Sequence, residues 1–257
     1  MSDAWTPAEV AARVLAAGQA RAAAPLTTMF PLALLAGAFI GFGAQFALVA
    51  LTGTEGLGFG LRQVLAGGVF GVGLMLVVVA GAELFTGDNL LVIAWAAGRL
   101  STRRLLHTWL VVLAGNAVGA AGLAALVAAS APNEAVVKTV LAVATTKAAL
   151  PFGVAFARGV LCNVLVCLAV WSTASCRGTG EKILALAGPI AAFVAAGFEH
   201  SVANLYIFPL AALLGPLDVG GALHNLGAVI LGNLVGGGGF VAGIYWWIYL
   251  RPGLAKG

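Results

Sequence analysis

The chain predicts an all-α membrane protein of six transmembrane helices, arranged as two inverted halves of three, with the second and fifth helices broken. Three observations carry this. Apolar runs longer than about 18 residues recur along the chain, each long enough to cross a bilayer. Only 9% of the 257 residues are charged while 61% are hydrophobic; a soluble domain carries roughly 25% charged residues, so the outer surface must face lipid. The chain also repeats itself. Residues 80–90 read AGAELFTGDNL and residues 196–205 read AGFEHSVANL, and each is followed by Gly-Asn-x-Val-Gly, at 115–119 and at 232–236. Glu83 stands 33 positions before Asn116, and Glu199 stands 34 before Asn233. Polar strings that interrupt matched hydrophobic spans mark a pore or carrier built from an internal repeat.

In chain order, residues 7–23 predict an Ala-rich helix opened by Thr6-Pro7, a helix-start pair. With the residues around it (1–28) it forms an amphipathic segment on the cytoplasmic face. No cleavable signal is read ahead of it, because Asp3 and Glu9 precede Arg13 and a compact apolar core is lacking. The spans follow at 29–51, 62–98, 105–129, 148–174, 183–214 and 225–250, together forming one pore domain over 29–250. Linkers fall at 52–61, 99–104, 130–147, 175–182 and 215–224, and residues 251–257 form a short tail. The second and fifth spans are long because each holds a polar break. Three crossings per half is an odd number, so the second copy enters the membrane from the opposite side.

Lys and Arg orient the chain. One set of connections holds Arg13, Arg21, Arg99, Arg103, Arg104, Arg177, Lys182, Arg251 and Lys256, and the other holds Arg62, Lys138 and Lys147. The richer set is expected in the cytoplasm with both termini, in the cell (inner) membrane. The net charge of +4 reflects this asymmetry and implies no nucleic acid, which needs a clustered basic face. Cys162, Cys167 and Cys176 read as small apolar fillers without metal-ligand spacing, so neither a metal nor a cofactor is expected. Glycines at four-residue spacing, such as Gly115 and Gly119, read as close helix crossings.

A carboxylate in mid-bilayer costs roughly 2.5–3.5 kcal/mol on the insertion scale, so Glu83, Glu199 and His200 are expected to face protein or a water-filled path. The first break, from Glu83 to Asn89, reads as a non-helical loop, tolerated at membrane depth only where it lines a cavity or is buried in protein. The second, from Gly197 to Ser201, is tighter. Glu83 and Glu199 match across the repeat and read as holding the broken helix ends rather than carrying protons. His200 has no such match, because Leu84 takes its place in the first half. One asymmetric ionisable group in a symmetric scaffold points to function: an imidazole that gives a hydrogen bond or a proton to a passing anion. His107 and His224 read as interfacial. Asn163, Asn204 and Asn233 read either as path-lining groups or as polar glue between helices. Lys147 reads either as a snorkelling lysine or as a charge that collects anions at the outer mouth. Arg158 falls inside the fourth span without an assigned role.

At these residues the chain resembles the formate/nitrite transporter family. The matching strings are AELFTG at 82–87, RGVLCNVLVCLAVW at 158–171, GFEHSVAN at 197–204 and the segment from Asn225-Leu226 to Gly232-Asn233; the resemblance runs from about residue 25 to 251. It implies an aquaporin-like protomer, a homopentamer with one pore in each protomer, and transport of small monovalent anions with protons: formate, then nitrite, then hydrosulfide, and in some members acetate or lactate. By resemblance His200 is the central pore histidine, Thr86 the loop threonine that approaches it, Lys147 the vestibule lysine, and Asn163 and Asn204 the polar pore-lining pair. Phe70, Leu74 and Phe193 fit an apolar constriction toward the cytoplasm, and Leu84 with Phe85 fits the loop side. An aquaporin-type neutral-solute channel shares the broken helices, but Asn-Pro-Ala is absent from the chain. An intramembrane enzyme is disfavoured because Glu199-His200 has no second histidine at ligand spacing.

Overall fold

The computed structural model describes residues 4–251. Asp3, Lys256 and all of the expected tail except Arg251 lie outside the described residues. Among the described residues every regular element is helical. Helix α1 (Pro7–Ala23) is opened by a capping box, in which Thr6 and Glu9 satisfy each other's backbone N–H groups. It buries Val10 and Ala11 against Leu90, Ile93 and Trp171. Arg13 Nε donates to the Ala174 carbonyl at 3.2 Å, and Arg104 donates to the Ala22 and Ala24 carbonyls. Helix α1 is thus strapped across one end of the bundle.

The first span is α2 (Leu26–Leu51). The second runs through α3 (Phe59–Ala80), a break, a 3₁₀ turn (Gly87–Leu91) and the short α4 (Val92–Ala96). The third is α5 (Thr102–Ala129) and the fourth is α7 (Phe152–Ser175). The fifth is assembled from α8 (Thr179–Ala195) and α9 (Ser201–Leu214), which a second break separates. The sixth opens as α10 (Val219–Asn233) and loosens to π-helical winding over Leu234–Gly243 and Trp246–Leu250. Each break turns on a left-handed glycine, Gly81 (φ +81°) or Gly197 (φ +69°), a conformation that L side chains resist.

Two expectations need correction. The stretch 130–147 is not a plain linker, since it carries α6 (Glu134–Ala148), capped by Asn133 and packed through Val140, Ala144 and Ala148. This helix is too short to span a bilayer, and its Glu134, Lys138 and Lys147 lower its hydrophobicity, so a search for membrane-length apolar runs passes over it. The first break is also shorter than expected, because Gly87, Asp88 and Asn89 already belong to the 3₁₀ turn.

The repeated glycines set the crossings. A Cβ on Gly119 of α5 would overlap the Leu34 carbonyl of α2, and one on Gly236 would overlap the Val160 carbonyl of α7. Each half therefore holds its outer pair of spans at backbone contact. Overpacking a core costs about 1–3 kcal/mol even where side chains can yield, and a carbonyl yields less. Gly236→Val is expected to lower the thermal unfolding midpoint in detergent well below that of Gly239→Val, since Gly239 has nothing near its Cβ position.

Candidate functional site

In a bilayer the backbone groups freed at a helix break have no water to bond. Two asparagines bond them, one in each half. Asn116 Oδ1 accepts from the Phe85 N–H at 2.9 Å, while Nδ2 donates to the carbonyls of Ala33 (2.7 Å) and Glu83 (3.0 Å). Asn233 repeats the set. Its Oδ1 accepts from the Ser201 N–H at 3.0 Å, and its Nδ2 donates to the carbonyls of Gly159 (2.8 Å) and Glu199 (3.1 Å). The Glu83 N–H donates to the Leu32 carbonyl and the Glu199 N–H to the Arg158 carbonyl, each at 3.2 Å. The sequence marks these asparagines as repeat partners of the glutamates. It does not say that their amides, rather than the glutamate carboxylates, close the breaks.

The carboxylates turn toward the two ends of the passage. Glu199 Oε1 pairs with Lys147 Nζ at 2.8 Å, and Oε2 accepts from Asn204 Nδ2 at 2.8 Å. Glu83 Oε1 lies 3.7 Å from Arg21 Nε, and Arg21 Nη1 lies 3.5 Å from the buried Asp88. Arg21 stands eleven positions before Leu32, and Lys147 eleven before Arg158. The two cation–carboxylate pairs are therefore a repeat match that sequence reading missed. Lys147 is not a free vestibule charge: its side chain is 18% exposed and tied to a nearly buried partner.

Two cavities adjoin the two breaks and share no lining residue. The first, about 390 Å³, is lined by Arg62, Lys147, Arg158, Phe70, Phe193 and His200 among others. The second, about 250 Å³, is lined by Arg21, Glu83, Leu74 and Leu84 among others. This regroups the apolar residues. Phe70 and Phe193, edge to face with ring centres 5.5 Å apart, belong to the Lys147 end. Leu74 joins Leu84 at the Arg21 end. Phe85 is buried and lines neither cavity.

His200 sits where the first cavity ends, its ring stacked on Phe193 at 5.8 Å. Its Nε2 and Thr86 Oγ1 are 3.0 Å apart. Its Nδ1 accepts from the Ala203 N–H at 3.1 Å, which makes the ring the cap of α9. An accepting Nδ1 leaves the proton of a neutral imidazole on Nε2, so Nε2–H is the donor and the Thr86 hydroxyl the acceptor. Asn163 and Asn204 are fully buried and line neither cavity. Asn163 Nδ2 donates to the Thr86 and Asn233 carbonyls, and Asn204 Nδ2 bridges Glu199 and Asn225. Cys167 Sγ donates to the same Thr86 carbonyl at 3.4 Å. Thr86 is thus held from behind while its hydroxyl faces the ring. Among the described residues no group of three or more His, Cys, Asp or Glu side chains is placed to hold a metal.

A family model described as formate/nitrite transporter matches residues 8–247. The formate channel FocA of Escherichia coli (strain K12) is 38% identical over 251 residues, which cover 88% of either chain. The nitrite transporter NirC of Salmonella typhimurium (strain LT2) is 38% identical over 223 residues, 83% of this chain and 80% of that one. A solved pentameric formate channel with formate bound aligns with a TM-score of 0.80 at 37% identity, over 88% of this chain and 98% of its own. The chain is accordingly an integral membrane transport protein and not an enzyme.

Replacing Asn233 by Leu removes the bonds that its amide makes to the Ser201 N–H and the Glu199 carbonyl at the break, while the Gly159 carbonyl keeps only its place in the α7 ladder. Each buried orphan costs about 1–3 kcal/mol. Asn233→Leu is expected to lose folded protein on gel filtration in detergent, and Asn116→Leu to behave alike, while Asn163→Leu loses less.

Proposed function

This chain belongs to the formate/nitrite transporter family, and on that premise we propose that it is a homopentameric channel for small monovalent anions, with one pore in each protomer. Formate ranks first, nitrite second and hydrosulfide third. The relatives support formate and nitrite as candidates, one being a pentameric formate channel with formate bound and another a nitrite transporter. The membrane is the inner membrane, with α1 on its cytoplasmic face and the Lys147 cavity opening outward.

The observation that carries the mechanism is the His200–Thr86 contact where a cationic cavity ends. Three cations and one carboxylate line that cavity, so an anion is drawn in. Phe70 and Phe193 then strip its hydration shell. A desolvated anion gains proton affinity. The Nε2–H of His200 turns from the Thr86 hydroxyl to the anion and replaces a lost water. A proton leaving Nε2 would require the ring to gain one at Nδ1, where the Ala203 N–H already points. Hydrogen-bond donation therefore comes first, and a coupled proton travels with the anion from the cavity.

Asn at 200 retains the ability to cap a helix and loses the ring. Formate uptake into proteoliposomes under a pH gradient is expected to fall at least about tenfold in His200→Asn, a loss of about 1.4 kcal/mol or more. Undiminished coupled uptake removes the histidine from the mechanism. In stopped-flow swelling, formate is expected to pass and glycerol to be excluded; the reverse result replaces this reading with a neutral-solute channel.

A further inference from the structure

On the side of the Lys147 cavity the second half carries two ionisable residues that the first half lacks at the matching positions. Leu84 corresponds to His200 in the repeat, and Leu32 corresponds to Arg158, since Leu32 and Arg158 supply the matching carbonyls to the Glu83 and Glu199 N–H groups. Arg158 is therefore anchored at the level of the second break. It is half-buried, lines the Lys147 cavity and has no carboxylate partner among the described residues. Arg62, in the first turn of α3, lines the same cavity. Its Nε is buried and makes no hydrogen bond. Glu199, the carboxylate of that cavity, is already taken by Lys147 and Asn204. Two guanidinium groups that line one cavity without a carboxylate partner, one with a buried and unbonded Nε, are placed to meet an anionic ligand there.

We propose that Arg62 and Arg158 form a loading site for one planar oxyanion, a carboxylate or nitrite, on the mouth side of the Phe70–Phe193 pair. The site deepens the transport reading and rests on it for the identity of the cargo. A guanidinium fork matches two oxygens in a plane and does not match a spherical halide. Lys147 is spent on Glu199, so these arginines hold the anion while it sheds water, and they raise its concentration beside His200.

The test uses the purified full-length protein and its Arg62→Gln, Arg158→Gln and Arg62→Lys/Arg158→Lys variants, each checked by gel filtration. Binding is read as saturation transfer to the formate proton in NMR, and transport as formate uptake into proteoliposomes across a concentration series. Each Gln variant is expected to raise the half-saturating formate concentration about fivefold in both assays, as loss of a charge-assisted bidentate contact would. In the native protein nitrite is expected to displace formate far better than chloride does, and the double-Lys variant to lose that preference. Unchanged half-saturation in both Gln variants overturns the site, as does chloride competing as well as nitrite. If a Gln variant elutes as aggregate, the double-Lys preference decides alone. Formate binding that depends on the arginines without any formate flux sinks the transport reading and leaves the site standing.

Discussion

A bilayer gives no water to a broken helix, and the whole structure is arranged around that constraint. Two breaks at membrane depth leave N–H and C=O groups that the protein itself must bond. Asn116 and Asn233 do so with the same three bonds in each half. Each asparagine can reach only because its helix lies at backbone contact with a neighbour, and that contact needs glycine at positions such as 119 and 236. The Gly-Asn-x-Val-Gly string is therefore one device in which the glycines bring the helix in and the amide closes the break.

Once the breaks are closed symmetrically, the two halves differ in the side chains beside them. Leu84 and Leu32 are inert where His200 and Arg158 are not. The second break also spends its histidine twice, since one ring nitrogen caps α9 and the other faces Thr86. The fold thereby sets the tautomer of the ring and the direction of its donor. Thr86 is fixed in turn by Asn163 and Cys167, which hold its carbonyl from the far side. The polar residues buried near the pore are thus mainly a frame for two groups, a hydroxyl and an N–H.

The apolar residues divide between the two cavities. Phe70 and Phe193 line the cavity of Arg62, Lys147 and Arg158, and Leu74 and Leu84 line the cavity of Arg21 and Glu83. The buried His200–Thr86 contact adjoins the first cavity, which His200 also lines. In such a low-dielectric space one hydrogen bond counts for more than in water.

The membrane class, the inverted repeat and the places of both breaks were legible in the chain, because hydropathy, glycine spacing and the paired strings at 80–90 and 196–205 are local properties of a segment. That His200 is an unmatched residue in a matched string was legible for the same reason. Helix α6 escaped, being too short and too charged for a membrane-length pattern. Only the tertiary structure decided that Lys147 is bound to Glu199, that amides rather than carboxylates close the breaks, that Phe70 parts from Leu74, and that Arg158 looks into a cavity. Those facts are distances between residues far apart in sequence, and a distance across a fold leaves no mark on the composition of either segment.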